Sequence, residues 1–196
     1  MLLEKFKNKI KKIKNRASFK YQIMKMKGSV LVNGAVGINQ KTEILGNGTV
    51  IFKDCVSLGY YPSPYNKTTS IYIEARYASA KIEIGENVMI SNNAAIIADK
   101  TSITIGRDTL IGPNFSCFDT HFHHIDPKKR RQGDYSCADV IIGENVFIGI
   151  NVTILKGTII GNNSVIGAGC TISGVIPANS IVSHSNQIEI NSLNVQ

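Results

Sequence analysis

Residues 142–171 read IGENVF, IGINVT, ILKGTI, IGNNSV, IGAGCT, five hexads without a break. Ile142, Ile148, Ile154, Ile160 and Ile166 open them, and glycine follows in four of the five. A repeat this short and regular predicts a stacked solenoid. Each hexad supplies a short strand and a bend: the aliphatic residue points inward, and small or asparagine residues permit tight corners, some with φ > 0. Stacked coils pair their backbones in parallel and bury a ladder of isoleucine and valine. Looser hexads start at Ile84, Ile90, Ile105 and Ile111, and Val30 to Leu58 alternates aliphatic residues with Gly34, Gly37, Gly46, Gly48 and Gly59 at turn-like positions. A solenoid has hardly any interior, so its chemistry belongs on loops and subunit boundaries.

The 196 residues fit one domain with a short appendage. A hydrophobic share of 43% and a mean hydropathy of +0.01 fit a soluble protein. No apolar run approaches the roughly 20 residues that span a bilayer, and the N-terminus has no signal-peptide pattern. Cys55, Cys117, Cys137 and Cys170 form no CxxC pair, which predicts reduced thiols and a cytoplasmic location. The net charge of +8 is entirely local: residues 1–28 hold ten Lys/Arg against the single acid Glu4. There Leu2, Leu3, Phe6, Ile10 and Ile13 fall at helical spacing with lysines between them. The pattern predicts a basic amphipathic helix. Its stripe either meets an anionic membrane surface peripherally or packs on the solenoid end as a cap. Aromatic interleaving is too sparse for nucleic-acid binding.

Two interruptions break the repeat. Residues 60–80 bring Pro62, Pro64 and several tyrosines, an excursion followed by a strand. Residues 117–139, CFDTHFHHIDPKKRRQGDYSCAD, hold three of the four histidines and the basic run Lys128–Arg131. A long insertion inside a strict repeat is where function is expected. The expected organisation is a helical segment 1–28, a solenoid 29–187 with the loop 117–139 extruded, and a C-terminal tail 188–196.

The loop FDTHFHHIDPKKRRQG, the block VIIGENVFIGINVTILKGTIIGNNSVIGAG and the closing IPANSIV together resemble the hexapeptide-repeat O-acetyltransferases. YIEARYASAKIEIGENVMISNNAAIIA resembles their sugar- and polysaccharide-directed branch. The resemblance covers residues 55–182. It implies an all-β solenoid, a left-handed parallel β-helix with triangular coils of about 18 residues, carrying a short N-terminal α-helix and one long protruding loop. It also implies acetyl transfer from acetyl-CoA, as donor substrate, to a sugar hydroxyl, in cell-surface polysaccharide or lipopolysaccharide assembly, without metal. By the same resemblance the chain is a homotrimer with its sites at subunit interfaces.

Carried over residue by residue, the family's general base falls on His123, with His121 the competing position. A neutral imidazole would take the acceptor's proton as the hydroxyl attacks the thioester, then return it to the CoA thiolate. Asp134, after Gly133, and Asp119, four residues before His123, are both candidates to orient it. The oxyanion donor maps to the main-chain N–H of Ile150. Phe147 stands where the family often has tryptophan, with Gly149 beside it. Coenzyme A would lie along Gly167, Ala168, Cys170 and Ser173. Ser173-Gly174-Val175 replaces the family's Thr-Lys-Asp, so a phosphate-facing lysine is missing and Lys156 or the loop bases would compensate. Asn92 and Asn93 fall near acceptor-contacting positions but are also favoured corner residues, and His121 would sit beside the acceptor.

The alternatives are a noncatalytic scaffold, an acetyltransferase for an antibiotic or free sugar, and a zinc enzyme of the carbonic-anhydrase type. The zinc enzyme needs histidines on separate coils, whereas His121, His123 and His124 crowd one loop.

Overall fold

The computed structural model describes residues 2–133 and 135–183, with side chains from Phe6 onward. Asp134, His184 and the expected tail 188–196 lie outside the described residues. Among the described residues, Leu2–Lys25 is a helix, and twenty strands of two to five residues follow it. They wind into the left-handed parallel β-helix expected from the sequence. Seven, seven and six strands form its three faces, and every strand pairing is parallel.

The hexad openers become the core. Ile142 pairs with Ile160, Ile148 with Ile166 and Ile154 with Ile172, eighteen residues apart on the three faces. All six are at most 5% exposed. Seven asparagines (Asn87, Asn93, Asn114, Asn145, Asn151, Asn163 and Asn179) take φ of 53–61° at the corners, a conformation that costs asparagine little. Their amides bond between coils, as in Asn93 Nδ2 to Asn114 Oδ1 and Asn114 Nδ2 to Asn151 Oδ1, both 2.8 Å. Ile105 and its partner Ile142 are thirty-seven residues apart, because the long loop leaves between the third face and the first. The earlier excursion ends before Ser70, and Ile71–Ala75 rejoins the third face.

The helix has no internal glycine or proline and is rich in lysine, a good helix former. It ends before Gly28, whose absent Cβ would lie 2.0 Å from the Gly48 carbonyl oxygen. Asn8, Lys11, Asn15, Ser18, Phe19, Gln22 and Ile23 form its less exposed face, which lies against the first coil. Phe19 is buried edge-on to Phe52 at 5.7 Å, a contact worth about 3 kcal/mol in apolar burial. The stripe read from the sequence is elsewhere: Phe6 is 61%, Ile10 39% and Ile13 59% exposed. The helix caps the solenoid, but with a different and more polar face than the apolar pattern predicts.

Candidate active site

The long loop leaves the third face after the strand Ser116–Phe118 and closes on itself at a narrow neck. Thr120 pairs antiparallel with Cys137, and Ala138 N–H donates to the Asp119 carbonyl at 2.9 Å. Cys117, Phe118 and Asp119 continue the strand's in–out alternation, so Asp119 points inward and is fully buried. Its Oδ1 accepts from Asp99 N–H at 2.8 Å. Its Oδ2 accepts from Lys100 N–H at 3.0 Å, Thr101 N–H at 2.9 Å and the Thr101 hydroxyl at 3.0 Å. None of these bonds reaches His123. The expectation that Asp119 orients the base is corrected: it fastens the loop neck to the corner 99–101. Asp134, the other candidate, lies outside the described residues.

Arg76 reaches the base of the loop from two coils away. Its Nη1 donates to Asp99 Oδ1 at 2.8 Å, its Nε and Nη2 donate to Glu74 at 3.0 Å each, and its guanidinium lies 5.2 Å from the Phe122 ring centre. The returning limb is held by Tyr135 OH, which donates to Asp99 Oδ2 at 3.0 Å, and by Lys100 Nζ, 4.4 Å from the Tyr135 ring centre. The returning limb is thus bonded to the buried Asp99 carboxylate, and the outgoing limb is linked to it through Arg76. The sequence marked neither Arg76 nor Asp99, because a charged pair 23 residues apart has no local pattern.

Between the limbs is a cleft of ≈ 280 Å³ lined by His121, His123, His124, Tyr135, Ser136 and Lys156. His123 Nδ1 lies 3.2 Å from the Arg130 carbonyl oxygen. A carbonyl only accepts, so this contact calls for a proton on Nδ1, and a neutral ring in that tautomer has its acceptor at Nε2. His124 has the opposite tautomer: its Nδ1 accepts from Asp126 N–H at 3.0 Å, so its Nε2 carries a proton. One imidazole can take a proton and its neighbour can donate a hydrogen bond. Lys156 Nζ donates to the Ser136 carbonyl at 2.9 Å and also to the Ser136 hydroxyl, placing a cation in the cleft. Ser173 is exposed near the same edge, just past the third-face strand Thr171–Ile172. Among the described residues no cluster of three or more metal-ligating side chains occurs.

The remaining expected residues lie at or beside the edge between the second and third faces. Ile150 follows the second-face strand Phe147–Ile148 and precedes the third-face strand Thr153–Ile154. At about 3.3 Å per residue, the face dividing it from the loop edge is roughly 20 Å wide. The Ile150 carbonyl accepts from Gly169 N–H at 2.9 Å. Its own N–H, like that of Ala168 one coil on, donates to no group among the described residues. Gly149 and Gly167 donate their N–H groups to Ile166 and Val182, at 2.8 and 2.7 Å. Phe147 is 52% exposed on the outer second face, between Leu110 and Val165. Cys170 is only 3% exposed, and its carbonyl accepts from Thr153 N–H at 2.9 Å.

The expectation that Asn92 contacts the acceptor is corrected. It is fully buried, and its amide holds the excursion, donating to Tyr60 O at 2.9 Å and Pro64 O at 2.8 Å while accepting from Tyr60 N–H at 3.0 Å. Asn93 is a corner residue at φ 61° whose amide joins the ladder to Asn114. The structure thus brings His121, His123 and Lys156 together, and sets Ile150, Gly149, Gly167 and Ala168 a full face away.

The family profile "Bacterial transferase hexapeptide (six repeats)" matches residues 139–174. Over 109 residues the chain is 38% identical to the putative lipopolysaccharide biosynthesis O-acetyl transferase WbbJ of Escherichia coli K12, covering 52% of this chain and 55% of that protein. It is 40% identical over 100 residues to the galactoside O-acetyltransferase of the same strain, covering 51% and 48%. Among solved structures, the acetyl-coenzyme A complex of the hexapeptide-repeat acetyltransferase VCA0836 from Vibrio cholerae aligns at 31% identity and a TM-score of 0.50, covering 58% of this chain and 61% of that one. The chain spans about half the length of the curated relatives it matches.

Proposed function

We propose that this chain, which matches the hexapeptide transferase model over residues 139–174, transfers acetyl from acetyl-CoA to a sugar hydroxyl, in cell-surface polysaccharide or lipopolysaccharide assembly in the cytoplasm. The names of the relatives support the reaction class and the sugar acceptor, and the acetyl-CoA complex of a similar structure supports the donor. The observation that carries the reading is the 3.2 Å contact between His123 Nδ1 and the Arg130 carbonyl, which favours the neutral tautomer with its acceptor at Nε2 in a ring that lines the cleft.

His123 Nε2 takes the proton of the acceptor hydroxyl as its oxygen bonds to the thioester carbon. The carbonyl electrons move to oxygen, and the resulting oxyanion needs a fixed donor. The Ile150 N–H serves, supplied by a second copy, because within one chain it lies a face away from His123. Collapse of the tetrahedral intermediate breaks the C–S bond, and the imidazolium returns its proton to the CoA thiolate. His124 Nε2–H and Lys156 position the acceptor or the donor's polar groups. The open Ala168 N–H and the exposed Ser173 remain for coenzyme A, one on each edge, as a shared site requires.

A homotrimer places the loop edge of each copy against the second–third edge of the next. The outer second face supports such packing, since Leu110, Phe147 and Ile181 are 43%, 52% and 81% exposed in one register-paired ladder. The test is mass spectrometry of a panel of cell-surface glycans after incubation with acetyl-CoA. The wild-type chain adds acetyl to one of them, and His123→Ala abolishes transfer while sedimenting as the same trimer. Undiminished transfer by that variant would refute the assignment, and sedimentation of the wild type as a monomer would refute the shared site.

A further inference from the structure

We propose that the outer face of the N-terminal helix docks on an anionic phospholipid bilayer. The inference does not rest on acyl transfer; it stands on how the helix is turned. At about 100° per residue, Phe6, Ile10, Ile13, Ala17 and Met24 lie along one stripe, roughly half a turn from the face formed by Asn8, Lys11, Asn15, Phe19 and Gln22. The stripe is exposed throughout: Met24 is 85%, Phe6 61% and Ile13 59% accessible, and Ala17 is exposed too. The solenoid does not use it. It packs instead on the opposite face, where Asn15 Nδ2 is buried with no hydrogen-bond partner among the described residues.

Bases border the stripe on both sides. Lys7, Lys14 and Lys25 lie on one flank and Lys9, Arg16 and Lys20 on the other, within about 50–90° of its centre. All six are exposed, and none takes part in an ion pair among the described residues. An apolar line between two cationic rails fits the boundary of acyl chains and anionic headgroups, with the lysine stems reaching up to phosphate. A groove of ≈ 650 Å³ continues this face, with Ile13 and Ala17 on one bank, Val32 and Val36 on the other, and Arg16 and Lys20 in its lining. A second copy is the poorer occupant, because it would bring an equally cationic segment to the contact.

The test uses the full chain and large vesicles of phosphatidylcholine, with and without roughly a third phosphatidylglycerol, read by co-sedimentation. Partition onto the anionic vesicles is expected at low salt, falling at least tenfold on neutral vesicles and in about 0.5 M salt, where the Debye length shrinks to a few ångströms. Each flanking base near the surface is worth roughly fivefold, so Lys7→Gln with Lys14→Gln is expected to lose about 25-fold. Ile10→Glu with Ile13→Glu is expected to remove binding while leaving the circular dichroism spectrum unchanged. Equal partition on both vesicle types, no partition at all, or unchanged binding by the double glutamate variant overturns the proposal. So does a wild-type oligomer that the double glutamate variant splits, since a second copy would then cover the stripe.

Discussion

Replacing Asp119 by alanine separates an architectural role from a chemical one. Its carboxylate accepts three backbone N–H bonds and one hydroxyl bond at 2.8–3.0 Å from a position with no solvent exposure. Removing it leaves those donors facing a void, at about 1–3 kcal/mol for each that stays unpaired. Water can enter a side-chain-sized gap and satisfy some of them, so the expected loss is about 3–5 kcal/mol rather than the full sum. With a urea slope of roughly 2 kcal/mol/M, the unfolding midpoint falls by about 1.5–2.5 M. Asp119→Asn retains one acceptor oxygen and is expected to lose about half as much. The assay is urea denaturation followed by far-ultraviolet circular dichroism, with turnover measured on the fraction that stays folded. If alanine lowered the midpoint by less than about 0.5 M while turnover collapsed, the carboxylate would be working on His123, and the reasoning here would be wrong.

Two further outcomes follow from the neck and the thiols. Arg76→Met leaves Asp99 buried with the Tyr135 hydroxyl but without its cation; with a third of the arginine side chain exposed, the discounted cost is about 2–3 kcal/mol, a fall in Tm of roughly 5–10 °C by calorimetry. Thiol alkylation is expected to mark Cys55, the exposed cysteine, and to spare Cys117. The neighbouring Asp54 carboxylate raises the Cys55 thiol above its usual range, so its labelling is slow near neutrality, climbs as the pH passes 9, and quickens in Asp54→Asn. Burial pushes the Cys117 thiol up, and peptide mass spectrometry that found Cys117 labelled as fast as Cys55 would contradict its place in the core.

The hexads mark the strands, because a period of six with an inward isoleucine is a direct imprint of the coil. The break in phase at Cys117 was enough to locate the loop and its histidines. The partners of those histidines were not legible. Asp119 stands four residues before His123, yet the strand's alternation is still running there and turns the carboxylate into the wall. Arg130 reaches His123 through its carbonyl, and a main-chain acceptor has no residue type to betray it. Asn92 looked like Asn93 in sequence, but the excursion folds over one of them and leaves the other at a corner. The helix misled for a related reason: the apolar pattern shows which face avoids water, not what covers it.

A base oriented by a peptide carbonyl is indifferent to the identity of the residue that carries the carbonyl. Among the described residues, the side chains of Lys128, Lys129 and Arg131 take no part in holding the turn that presents Arg130 O; Asp126 maintains it by accepting from Lys128 N–H at 2.9 Å and, through its carbonyl, from Lys129 N–H at 3.1 Å, and Arg130 Nη2 closes it by donating to Ile125 O at 3.0 Å. In the proposed mechanism, the group that orients the base is thereby separate from the side chains around it. Under the proposed mechanism, exchange of Lys128, Lys129 or Arg131 for acidic or apolar residues would alter the surface beside the cleft and leave the His123 contact with Arg130 O in place.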